Sequence, residues 1–440
     1  VNATIRDKRT FVLSEWQVGG IFFIYTLLTG LAIQLILLPY VFPAWHAGNG
    51  LLVGLDAVNF HKIAVQLANQ ITTQGWSAWE LTPNNQAVAG IAAIFYVLIT
   101  PKPWTVLPLN ALLHATAALV LYRLAMFLVK DRKKSLLATL PFVLFPSSLT
   151  WTAQMHNDSY AILGQLLFFY GWYLLAQWRN TFSVAKMAGA AISIVIGITL
   201  TWLVRDYLVQ ILHVLSLVVA TVLSLAYLWW RRRGDVDWRR TAIAILVIWF
   251  LVVMIGLFIT PKKPMAERVQ YEWRSSPWLL RAIDRQLFAL SVKREIVLLD
   301  WAGAGSNIDT EIHFHSAADV LSYLPRALQI GFLAPFPNDW FGSGSRPANT
   351  MMRRVSGIEM SLVYLSLLGL PIAIWRWRRE LSLWIFMFYA AGMQTIYTLV
   401  TVNIGTLYRF RYGYLMTFVA LGIAGWTVLW PFIRKWLLRR

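Results

Sequence analysis

Cysteine is absent from the 440-residue chain. That excludes disulfide frameworks and thiolate-bound metal centres. Charge is scarce as well: Asp, Glu, Lys and Arg make up 13% of the residues, against about a quarter in a soluble domain. Acids are the rarer sign, 20 against 39 Lys and Arg. No Gly-rich phosphate loop occurs, so no motif asks for a nucleotide. No internal repeat is visible.

What fills the chain instead is apolar. Hydrophobic residues reach 58% and the mean hydropathy is +0.57. They come in blocks near 20 residues long, the length that spans the hydrocarbon core of a bilayer. The chain has 23 Trp and 17 Tyr, many at block ends, as an interfacial aromatic belt requires. The pattern predicts an all-α polytopic membrane protein of about ten transmembrane helices. Spans are expected near 18–41, 105–129, 136–150, 159–178, 184–204, 207–230, 241–260, 357–375, 381–402 and 412–432. The stretch 88–100 is apolar but short, and is expected to be half-buried or re-entrant. The block near residue 20 lacks a small-residue cleavage site and reads as a helix, not a removed signal peptide.

The net charge of +19 does not point to nucleic acid. Basic residues cluster at block ends, in Lys130–Lys134, Arg231–Arg240, Arg376–Arg379 and Arg434–Arg440. The intervening short loops hold only Lys62, Lys102, Arg205, Arg409 and Arg411. By the positive-inside rule both termini are cytoplasmic, provided 88–100 does not cross. A bacterial plasma membrane is the expected setting.

This topology divides the chain into a transmembrane module (1–260) with a long first outside loop (42–104), a helical outside domain (261–356), and the last transmembrane helices (357–440). Within the outside domain, 278–299 reads as an amphipathic helix. Leu279, Leu280, Ile283, Leu287 and Leu290 lie on one side, and Arg281, Arg285 and Arg294 on the other. Ser316 and Asp319 resemble a capping box opening a second helix, with a break at Pro325. Residues 335–345 read as loop.

Ionisable residues at membrane depth are costly, so they are the functional candidates. Apart from the large loop, the outside acids are Asp56, Glu80, Asp158, Asp206 and Glu359. Asp56 stands near Asn59 and His61. It is either a base toward an acceptor hydroxyl, a metal ligand, or a helix cap. Asp158 follows His156 and Asn157 at the start of a span, where capping and catalysis both fit. Arg205 and Asp206 sit between two spans with almost no loop. They form either a local ion pair or a phosphate-binding Arg with an orienting acid. His313 and His315, two residues apart, suit either half of a metal site or a solvated loop. Arg409 and Arg411, beside Tyr408, interrupt the charge bias of the short loops, either as phosphate ligands or as interfacial anchors for the last helices. In an extended segment both Arg side chains would point the same way and clamp one phosphate. Trp76, Trp79, Trp301 and Trp340 are candidates for stacking on sugar rings, or else interfacial anchors.

These stretches resemble the GT-C superfamily of membrane glycosyltransferases, especially bacterial members related to protein mannosyltransferases and aminoarabinose transferases. The resemblance is carried by Asp56-Ala57-Val58-Asn59-Phe60-His61 after the first helix, His156-Asn157-Asp158-Ser159 at the fourth, and Tyr408-Arg409-Phe410-Arg411-Tyr412 before the last. It implies Asp56 and Asp158 as catalytic residues. It implies His61, His156, Arg205, Tyr408, Arg409 and Arg411 as substrate-binding residues. The implied donor is a polyprenyl-phosphate or diphosphate sugar, and the acceptor a glycan, lipid or protein. The reaction would invert the anomeric carbon. Many members carry two neighbouring acids in the first loop where this chain has Asp56 alone, which leaves a divalent Mg or Mn cofactor an open matter. The alternatives are a lipid-linked oligosaccharide polymerase or ligase, and a polysaccharide transporter or flippase.

Overall fold

The computed structural model describes residues 13–54, 56–178, 183–259, 271–344 and 347–437. Among them the regular structure is helical, with isolated β-bridges and no strand. The chain is a multi-pass membrane protein. The helices are α1 (Glu15–Ala32), α2 (Ala57–Gln74), α3 (Ala87–Leu98), α4 (Leu107–Val129), α5 (Arg132–Leu144) and α6 (Pro146–Thr152). Next come α7 (Asp158–Gln177), α8 (Val184–Arg205), α9 (Tyr207–Arg232) and α10 (Trp238–Leu257). The remainder are α11 (Arg281–Asp300), α12 (Ala317–Leu333), α13 (Pro347–Leu367), α14 (Leu370–Trp377), α15 (Leu381–Val400), α16 (Ile404–Phe410) and α17 (Tyr412–Leu437).

Nine of the described helical segments are long and apolar enough to cross a bilayer, and α5 with α6 form a tenth that is bent by 59°. Contacts at its two ends set this bent pair alongside the first span, Glu15–Val41. Arg132, at its start, donates to the Leu13 carbonyl beside the N-terminus of α1. At its far end the Ala153 carbonyl accepts from Gln34, in the second half of that span. The chain bends at Phe145-Pro146 because proline restricts the residue before it to extended backbone and cannot continue the helix. α3 has 12 residues, too short to cross.

α1 begins at Glu15, three residues before the expected span, because Ser14 and Gln17 form a reciprocal capping box. α7 is the central helix, buried on nearly every face. It meets α8 backbone to backbone. A Cβ on Gly197 would stand 2.5 Å from the Gly164 carbonyl oxygen, so only glycine permits this approach. α10 lies at the periphery. Thr241, Ala244, Ile248, Leu251, Val252 and Ile255 face inward at helical spacing, while Leu246, Phe250, Val253 and Leu257 are bare. An apolar outer face of this kind requires lipid, not water, as its solvent.

In the segment between α10 and α13 the structure departs from expectation twice. α12 runs through Pro325 to Leu333 without a break. On α11 the apolar and basic sides do not separate as expected: Leu280 and Ile283 are exposed and Arg294 is buried. Arg294 is tolerated inside because its guanidinium donates to the carbonyls of Ile312, Leu399 and Asp309 and lies over the Phe314 ring. The Ser316 cap is present: its hydroxyl accepts from the Asp319 amide, while the Asp319 carboxylate accepts from the His315 amide.

Candidate functional site

The ends of α2, α7, α8 and α16 converge on one face of the bundle, opposite the face that carries Glu15 and Lys130–Lys134. Asp56 directly precedes α2 but makes no capping hydrogen bond. Asp158 opens α7, and Asn157 before it makes no cap either. Local capping therefore accounts for neither acid. The cations account for both.

Asp158 is buried, its side chain only 4% exposed. Arg205, the last residue of α8, donates through one terminal nitrogen to Asp158 Oδ1 at 2.5 Å. Its other terminal nitrogen donates to the Tyr397 hydroxyl at 3.1 Å, and its guanidinium lies 4.0 Å from the Phe410 ring. Arg205 is thus oriented by an acid 47 residues earlier in the chain. Arg409 on α16 places Nε 3.1 Å from Asp158 Oδ2. This contact is an ion pair by distance without hydrogen-bond alignment. A terminal nitrogen of Arg409 lies 3.6 Å from Asp56 Oδ2. Each Asp158 oxygen is taken by one guanidinium, and Asp56, 63% exposed, is the accessible acid.

His156 is buried in the loop before α7, in electrostatic range of all four charges. Burial, and then the Arg409 charge, push its imidazole down to about 4 against the opposing pull of Asp158 and Asp56. The ring is neutral at pH 7, and its Nε2 has no hydrogen-bond partner among the described residues. His61 on α2 pairs through Nδ1 with the Tyr96 hydroxyl at 2.7 Å and through Nε2 with Asn49 at 3.3 Å. Burial and the nearby Lys102 lower its pKa. Tyr96 in turn donates to Met155 Sδ, which ties His61 to the His156 loop.

Two candidates point elsewhere. Residues 404–410 are helical, not extended, so Arg409 and Arg411 leave the chain in different directions. Arg411 is 1% exposed and donates to the carbonyls of Ile330, Gly331 and Ala334 at the end of α12. The expected two-arginine clamp therefore does not form. Tyr408 is buried too, and its hydroxyl donates to Glu359 at 2.6 Å. Glu359 also accepts from the Ser147 amide at 2.8 Å and the Ser147 hydroxyl at 2.6 Å. It borders an apolar groove of about 350 Å³ between α5 and α13, lined by Leu137, Leu140, Leu144, Ile358 and Leu362. Glu359 is one of the outside acids singled out from the sequence; its partners Ser147 and Tyr408 come from the tertiary structure. The available signal was a lone acid inside an apolar block.

Among the tryptophans, Trp79 donates to the Gly90 carbonyl and Trp340 to the Pro335 carbonyl, while Trp76 and Trp301 are substantially exposed. Among the described residues no group of three or more His, Asp or Glu side chains is placed to hold a metal ion. His313 pairs with Glu295 at 2.8 Å, and His315 stacks on Tyr271. Between Asp56 and Asp158 the charge that the described residues supply is the Arg409 guanidinium.

Compared with known proteins, the chain matches no family model, no curated protein and no solved structure.

Proposed function

We propose that the protein is an inverting glycosyltransferase, taking sugar from a polyprenyl-phosphate donor on the non-cytoplasmic face of a bacterial plasma membrane. The observation that carries this is the pairing of an accessible carboxylate, Asp56, with a partly exposed guanidinium, Arg409, at the end of an otherwise apolar bundle. The GT-C resemblance of the segments bearing these residues supports it. The Lys and Arg bias supports an outer-side location for the site.

In this reaction the acceptor hydroxyl oxygen attacks the anomeric carbon and its proton passes to Asp56. The bond from that carbon to the donor phosphate oxygen breaks, and the electron pair leaves with the phosphate. Arg409 stabilises the growing negative charge without having to transfer a proton. Asp158, with both oxygens engaged, acts as a positioning residue that holds Arg205 and Arg409. The apolar groove beside Glu359 suits an isoprenoid chain. The charges gather at helix ends, which favours this reading over a transporter with its site at the bilayer midplane.

The test is direct. Purified protein in proteoliposomes is given a panel of polyprenyl-phosphate sugars with a cell-envelope extract as acceptor, and release of lipid phosphate is measured. Release should depend on Arg409. If no donor in the panel yields Arg409-dependent release, the proposal fails.

A further inference from the structure

Arg409 is held unequally by its two acids. Nε sits 3.1 Å from Asp158, whose buried carboxylate is locked on the other side by Arg205. The contact to Asp56 is longer, 3.6 Å, beyond hydrogen-bond range. Asp56 is mostly exposed and has no capping bond to hold it in place. Nε is the Arg409 nitrogen beside Asp158, and the contact to Asp56 is made by a terminal nitrogen, the edge on which an anion would be received. A phosphate presents oxygens that match the guanidinium fork better than one distant carboxylate oxygen does. Formal charge points the same way: Asp56, Asp158, Arg205 and Arg409 sum to zero, so an arriving phosphate leaves one acid in excess.

We infer that a phosphate ligand and Asp56 compete for the same edge of Arg409, so that donor binding displaces Asp56 and frees it to act as the base. This rests on the phosphate site proposed above. It makes Asp56 a stand-in for the donor phosphate when the site is empty, and it orders the reaction. Asp56 is engaged by Arg409 until the leaving group is seated, which protects against premature attack by water or acceptor.

Competition predicts an unusual result: removing the catalytic base tightens binding. The full chain in nanodiscs is titrated with farnesyl phosphate, with farnesol as the uncharged control, and affinity is read by calorimetry. Asp56→Asn should bind farnesyl phosphate about fivefold tighter than wild type, since an exposed ion pair competes with up to roughly that factor. Glu80→Gln, which removes an acid elsewhere in the same loop, should leave affinity unchanged. Arg409→Gln should lose most of the binding. An Asp56→Asn affinity equal to or weaker than wild type overturns the competition, while Arg409-dependent binding keeps the phosphate site. Equal tightening by Glu80→Gln also overturns it, because the effect is then general charge. If wild type and Arg409→Gln bind alike, or neither binds, both the competition and the phosphate site fall.

Discussion

Asp158 and Arg205 stand 47 residues apart in the chain and 2.5 Å apart in space. The pair is buried, and it fixes the end of α8 against the start of α7. Removing one partner of a buried ion pair leaves an uncompensated charge, which costs about 3–5 kcal/mol. Asp158→Asn takes the buried carboxylate from two guanidiniums at once. It should lower stability by at least this range in detergent unfolding. Asp56→Asn, at an exposed and longer contact, should cost under about 1 kcal/mol. Equal losses in the two variants would contradict the division into a positioning acid and an accessible acid.

Turnover should separate them the other way. Asp56→Asn keeps the size and polarity of the side chain and removes its basicity. With a working lipid donor, kcat should fall by about 100-fold or more. A variant that turns over near the wild-type rate would remove Asp56 from the role of base.

Arg409 and Arg411 should respond differently to lysine. Arg411 donates to carbonyls on three residues, and a single ammonium cannot reproduce that fork. Arg411→Lys should cost about 2 kcal/mol or more of stability. Arg409→Lys should leave the unfolding midpoint nearly unchanged and weaken donor use. The check is unfolding and donor KM measured on both variants. Reversal of this pattern would show that α16 has been misassigned.

The backbone contact between α7 and α8 gives a packing test. Gly197→Leu would drive its side chain into the Gly164 carbonyl and the Phe168 backbone. Overpacking of this kind costs about 1–3 kcal/mol. Loss of stability should exceed that of Gly189→Leu, where a Cβ meets nothing within 4 Å. Similar behaviour of the two variants would mean that the helices are not in this register.

Because the chain has no cysteine, single-cysteine labelling has no background. In intact cells Ser77→Cys should react with a membrane-impermeant maleimide, and Asp235→Cys only after permeabilisation. Both positions are exposed and lie at opposite ends of the bundle. The inverse pattern would turn the topology over.

The sequence by itself determined the class of the protein. Twenty-residue apolar blocks with so little charge have no stable arrangement in water, and a backbone in hydrocarbon must satisfy its own hydrogen bonds, which selects helices. Block length alone separated the short α3 from the crossing helices. The candidates Asp56, Asp158, Arg205 and Arg409 were legible too, because a charge beside hydrocarbon is expensive wherever it occurs. What only the tertiary structure decided is which charge meets which. The alternation expected for Arg409 and Arg411 depended on an extended segment, and α16 is a helix, opened by the Asn403 cap. Arg294 read as a surface residue, since no periodicity shows that carbonyls of Ile312, Leu399 and Asp309 will gather around it. By its local spacing Asp158 could be a cap or a catalytic acid. It is an anchor for two cations because α8 and α16 end beside it, and that meeting is set by long-range packing.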